Sequence, residues 1–95
     1  MSTGAAAGPV TVEILNKRGL HARASAKFVT LASGFDAVVM VAKDGACVTG
    51  TSIMGLMMLA AAPGDTVELS AEGIQAGEAL AALVALIEGK FGESD

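Results

Sequence analysis

His21 is the only histidine of the chain and lies in the run NKRGLHARASAKFV, at what reads as the first turn of a helix. Lys17, Arg18, Arg23 and Lys27 are four of the six bases and fall in one window without an Asp or Glu. An imidazole is largely uncharged near neutral pH, and its free ring nitrogen attacks without a separate base to strip a proton. If the attacked group is phosphoryl, the product carries about two negative charges and needs donors and cations beside the nitrogen. A helix that starts at or just after His21 would aim the backbone N–H groups of Ala22, Arg23 and Ala24 toward the ring, and the positive end of its dipole favours phosphate. The planar fork of Arg23 can swing back to grip two phosphate oxygens. Gly19 permits the tight turn before the histidine. No Asp/Glu cluster lies near, so Mg²⁺ would be absent or supplied by a partner, and no cofactor is expected.

The elements that must hold this segment follow from periodicity. Residues 1–9 are small and Gly-rich and read as a disordered tail ahead of one domain over 10–92. Val10, Val12 and Ile14 alternate with Thr11 and Glu13, the pattern of a half-buried strand. Ala24, Phe28, Leu31 and Phe35 then recur at helical spacing, with a stop near Gly34. Two β-prone runs, Ala37 to Ala42 and Ala46 to Thr49, flank an Asp44-Gly45 turn and predict a hairpin. Thr51 and Ser52 can cap a short helix from Ile53 that Gly55 weakens. Thr66 to Ser70 reads as a fourth strand, and Ala76, Leu80, Leu83, Ile87 and Phe91 form the stripe of a long final helix. The order is βαββαβα. It predicts an α+β open-faced sandwich, a four-stranded antiparallel sheet with three helices on one face.

Composition narrows the function. A hydrophobic fraction of 53% suffices for a core, but no Trp or Tyr and only 3 Phe leave no stacking platform for single-stranded nucleic acid. A net charge of −4 excludes a general polyanion binder, so the basic island suits one phosphate or one acidic partner face. Glu93 and Asp95 read as solubility-promoting charges. The single Cys47 excludes an internal disulfide and reads as a small buried hydrophobe in a strand. The apolar run IMGLMMLAAAP is too short to span a bilayer, and MSTGAAAGP lacks a basic signal-peptide start, so no membrane insertion and a cytoplasmic location are expected.

The segment GLHARASAKFV resembles the active-site segment of the HPr family, the histidine-containing phosphocarriers of the bacterial phosphoenolpyruvate-dependent phosphotransferase system, and SIMGLMML resembles the same family's serine-site helix. The spacing from His21 to Ser52 also agrees. The resemblance implies that His21 accepts phosphate on Nδ1 from phosphorylated enzyme I and passes it to a IIA-type acceptor, with Arg23 as the clamp. Ser52 would correspond to a regulatory serine, phosphorylated by an HPr kinase/phosphorylase where a cell has one. Arg18, Leu20, Lys27, Ile53, Met54, Leu56 and Met57 would supply a docking surface on which flexible Met side chains adapt to several partners. Such a carrier is covalently modified without itself turning over a small molecule, and is most simply a monomer.

Two positions depart from the family pattern. Ala24 stands where many members have Pro, and Arg18 where many have a small or polar residue. A helix can start without Pro at its first position, and the choice between sugar transport and the nitrogen-related regulatory branch stays open. Two other readings compete with the carrier. One is a regulatory binding module whose His21 or Ser52 phosphorylation state sets its affinity for a cytosolic enzyme or regulator. The other is a plain α/β domain in which His21 and Ser52 only cap helices.

Overall fold

The period-two and helical patterns resolve, in a computed structural model that describes residues 5–94, into four strands and three helices. Strand β1 spans Ala5–Glu13, helix α1 Ala22–Ala32, strands β2 and β3 Val38–Lys43 and Ala46–Thr49, helix α2 Ile53–Met58, strand β4 Thr66–Gly73 and helix α3 Ala76–Glu88. A 3-10 turn over Lys90–Gly92 ends the chain's regular structure. The sheet is antiparallel throughout, in the order β1-β4-β2-β3, and the helices cover one face, as the pattern predicted.

The alternation decides which face they cover. Val12, Ile14, Val39, Val41, Val67, Leu69 and Ala71 are buried beneath the helices, whereas Thr11, Glu13, Glu68 and Glu72 stand on the exposed side. Helix α1 contributes Ala24, Phe28 and Ala32 to the core, and α3 contributes Ala76, Ala79, Leu80, Leu83 and Ile87. Gly55, the weak point of α2 by propensity, has a packing reason: a Cβ there would lie 3.0 Å from the Val48 side chain. No helix among the described residues is long and apolar enough to cross a membrane.

Three expectations need correction. The strand begins at Ala5, not Val10, because Ala5, Ala6 and Ala7 pair with Gly73, Glu72 and Ala71 of β4. A ladder needs only backbone groups, so small side chains do not prevent it. The register shifts between Ala7 and Val10, where Pro9 has no N–H to give. Residues 1–4 of the expected tail lie outside the described residues. The final helix stops at Glu88, and Phe91 reaches the core from the 3-10 turn with a left-handed φ of 56°. Cys47 is exposed: on edge strand β3 it is Val48 that turns inward, so its neighbour turns out.

The segment between β1 and α1 is held against the loop after α2. The Leu20 N–H donates to the Ala61 carbonyl at 3.0 Å, and the Gly19 N–H to the Asn16 carbonyl at 3.2 Å. Gly19 has φ of 64°, and a Cβ on it would fall 2.3 Å from the Ala61 carbonyl oxygen. Both the dihedral and the space require glycine. Gly19→Ala should therefore lower stability by about 1–3 kcal/mol in urea unfolding; an unchanged midpoint would show that the turn does not depend on that backbone approach.

Candidate functional site

Helix α1 begins one residue after the histidine. His21 is its N-cap, with extended backbone, and its carbonyl accepts from the Ser25 N–H at 2.9 Å. Ala22, Arg23 and Ala24 are the first three helical residues, so their N–H groups have no carbonyl four residues back inside the helix. The Arg23 N–H donates to His21 Nδ1 at 3.2 Å. Buried Ala24 is thus the third helical position rather than the first, and the helix starts without Pro in that turn. Beneath the loop, buried Ser25 donates its hydroxyl to the Leu20 carbonyl at 3.2 Å.

The other edge of the ring meets a residue from the far end of the chain. His21 Nε2 lies 2.5 Å from Glu93 Oε2. A backbone N–H faces Nδ1, and an N–H can only point at a lone pair. The ring partners therefore assign the proton of neutral His21 to Nε2, donated to the carboxylate, and the free pair to Nδ1. The two side chains are 23% and 15% exposed. The ring is half-buried yet open enough to be approached.

Around it, Lys17, Arg18, Arg23 and Lys27 line a cleft of about 500 Å³ together with His21 and Glu93. The bases grouped by sequence are grouped in space, and Arg18 and Arg23 are exposed. Lys27 is exposed, and its Nζ donates to the Phe91 carbonyl at 2.7 Å. An uncharged nitrogen with a free pair, a helix start and several cations in one cleft can accept a dianionic group and hold it.

The apolar surface divides differently from expectation. Ile53, Met54 and Met57 are exposed at 41%, 71% and 40%, and Met58, which the sequence reading passed over, at 78%. Leu56 and Leu20 are buried in the core and present no docking surface. Six apolar residues in a seven-residue stretch cannot share one inward face, and Leu56 is the one that α2 buries. Ser52 is half-buried at the N-cap of α2, where its Oγ accepts from the Gly55 N–H at 2.9 Å.

Glu93 is the site residue that sequence reasoning missed, having been read as a solubility charge; Asp95 lies outside the described residues. Its separation of 72 residues from His21 leaves no local signal. Asn16, fully buried, donates through Nδ2 to Glu93 Oε1 at 3.1 Å and to the Gly19 carbonyl at 2.8 Å. A polar residue in step with inward-facing Val12 and Ile14 was a readable signal for it.

Comparison with known proteins finds relatives over most of the chain. The family model described as PTS HPr component phosphorylation site matches residues 10–89. Phosphocarrier protein HPr of Neisseria meningitidis serogroup B is 54% identical over 85 residues, covering 90% of this chain and 96% of its own. Phosphocarrier protein NPr of Escherichia coli K12 is 45% identical over 84 residues, covering 87% and 93%. The crystal structure of an HPr from Thermoanaerobacter tengcongensis superposes with a TM-score of 0.88 at 52% identity, over 94% of this chain and all of that one. These matches cover most of the chain, and the chain belongs to the HPr family of phosphotransferase-system phosphocarriers.

Proposed function

We propose that His21 is the phosphoryl acceptor of this carrier, loaded through Nδ1 from phosphorylated enzyme I and unloaded to a IIA-type acceptor. The observation that carries the reading is the Arg23 N–H on Nδ1, which marks the lone pair of His21 at a helix start. As that pair forms the N–P bond, the Arg23 N–H turns to a phosphoryl oxygen, and the N–H groups of Ala22 and Ala24 are its neighbours in the same turn. The guanidinium of Arg23 closes over two further oxygens. No metal or cofactor enters this step on the carrier's side.

Partners dock on the cleft rim and α2. Arg18 and Lys27 offer charge to acidic faces, and Ile53, Met54, Met57 and Met58 offer an adaptable apolar patch. The acceptor belongs to sugar transport or to nitrogen-related regulation, and relatives named HPr and NPr both match this chain. Phosphorylation of Ser52 by an HPr kinase/phosphorylase is a second control point. The half-buried hydroxyl caps α2, and a phosphate there would put negative charge beside the exposed methionines.

Incubation with enzyme I, Mg²⁺ and phosphoenolpyruvate should add one phosphate by intact mass, lost in acid and absent from a folded His21→Ala. An acid-stable adduct, or one that persists in His21→Ala, would overturn the assignment. Arg23→Ala should slow transfer roughly 100-fold, with Arg23→Lys restoring only part because an ammonium lacks the fork; equal rates for Lys and Arg would remove the clamp. Ser52→Asp should raise the KM for enzyme I several-fold while the variant still takes up one phosphate, and an unaltered KM would separate Ser52 from docking.

A further inference from the structure

The last described residues of the chain are built into the histidine site. Lys90, Phe91 and Gly92 all have left-handed φ, at 57°, 56° and 74°, and two of the three are not glycine. Such a run is costly for residues with a Cβ and persists only where surrounding contacts hold it. Here Phe91 is buried in the core, Lys27 Nζ donates to its carbonyl, and the Glu93 N–H closes onto the Lys90 carbonyl at 2.9 Å. The result of this turn is to send Glu93 back to the start of α1.

Its carboxylate is held at both oxygens. Oε2 meets His21 Nε2, and Oε1 accepts from Asn16 Nδ2. The Asn16 amide is fixed in this orientation because both its N–H groups face acceptors; turned over, it would set its oxygen against them. Asn16 Oδ1 is left buried with no partner among the described residues. That unpaired oxygen is a cost, and the orientation it accompanies serves the Gly19 carbonyl and Glu93 together.

We propose that Glu93 is the positioning residue of His21, holding the proton on Nε2 while phosphate enters and leaves at Nδ1. The proposal rests on the phosphocarrier reading above. In the transfer, the Nδ1 pair forms the new N–P bond as the bond between phosphorus and its donor atom breaks, and the donor atom keeps that electron pair. The ring is then a phosphoimidazolium, positively charged and still protonated at Nε2. No proton is exchanged. The adjacent carboxylate stabilises that charge, as an acid paired to a histidine does in other active sites. A protonated ring is the better leaving group, so the same contact keeps the carrier ready to unload. Without the carboxylate the phosphoimidazolium loses that stabilisation, and release of its phosphate to an acceptor slows.

The test compares wild type, Glu93→Gln and Glu93→Ala, each shown to be folded by circular dichroism, with ¹⁵N-labelled histidine. Wild type should show a His21 Nε2 proton sheltered from exchange with water, and Glu93→Ala should lose it. Glu93→Gln keeps an acceptor oxygen and should keep the signal. In transfer from phosphorylated enzyme I to a IIA-type acceptor, both variants should lose about tenfold in kcat with KM little changed, because both lack the charge. A sheltered proton surviving in Glu93→Ala, or wild-type kcat in Glu93→Gln, would overturn the proposal. Absence of phosphate on wild-type His21 would instead overturn the carrier reading, while the ring-proton comparison needs no donor and decides the Glu93 contact by itself.

Discussion

The two nitrogens of His21 face opposite partners: a backbone N–H at Nδ1 and a carboxylate at Nε2. A neutral imidazole has one proton and one free pair, so this pairing leaves a single arrangement and puts the pair at the helix start. The rest of the architecture serves to bring the partners to one ring. Helix α1 must begin at residue 22, which requires the Gly19 turn and the Ala61 carbonyl behind it. The chain end must return across the same helix, which requires Phe91 in the core and the left-handed turn around it.

Charge is distributed to match. The protein is acidic overall, but exposed Glu13, Glu68 and Glu72 belong to the open face of the sheet, and the cleft cations belong to the α1 end of the helical layer. A phosphoryl group or an acidic partner therefore meets local positive potential on a molecule that repels polyanions as a whole. Beside the cleft residues, α2 packs on α1 and leaves Met54 and Met58 largely uncovered. Flexible thioether side chains suit a surface that must fit several partners in turn.

Much of this was legible in the chain itself. Alternation in β1 and β4 and the 3.6-residue stripes of α1 and α3 are strong periodic signals, and they gave the layer arrangement. The chemistry around His21 was readable because its parts are close in sequence: Gly19, the N-cap and Arg23 fall within five positions. Legibility ended where the cause was non-local. The pairing of Ala5–Ala7 depends on the far end of β4, not on side chains of their own. The burial of Leu56 depends on which face of a crowded apolar run turns inward, and that of Leu20 on a loop held by the distant Ala61 carbonyl. Glu93 looked like a solvent charge because nothing near it shows that Phe91 will anchor the turn and send it to His21.

In the proposed transfer the two partners of His21 direct phosphate to Nδ1. Heteronuclear NMR of the phosphorylated, ¹⁵N-histidine-labelled protein tests it most directly, since the phosphorus couples to the ring nitrogen that bears it. Coupling to Nδ1 with a proton retained on Nε2 is the expected result. Phosphorus on Nε2, or a histidine that carries none after treatment with a phosphorylated enzyme I, would contradict it.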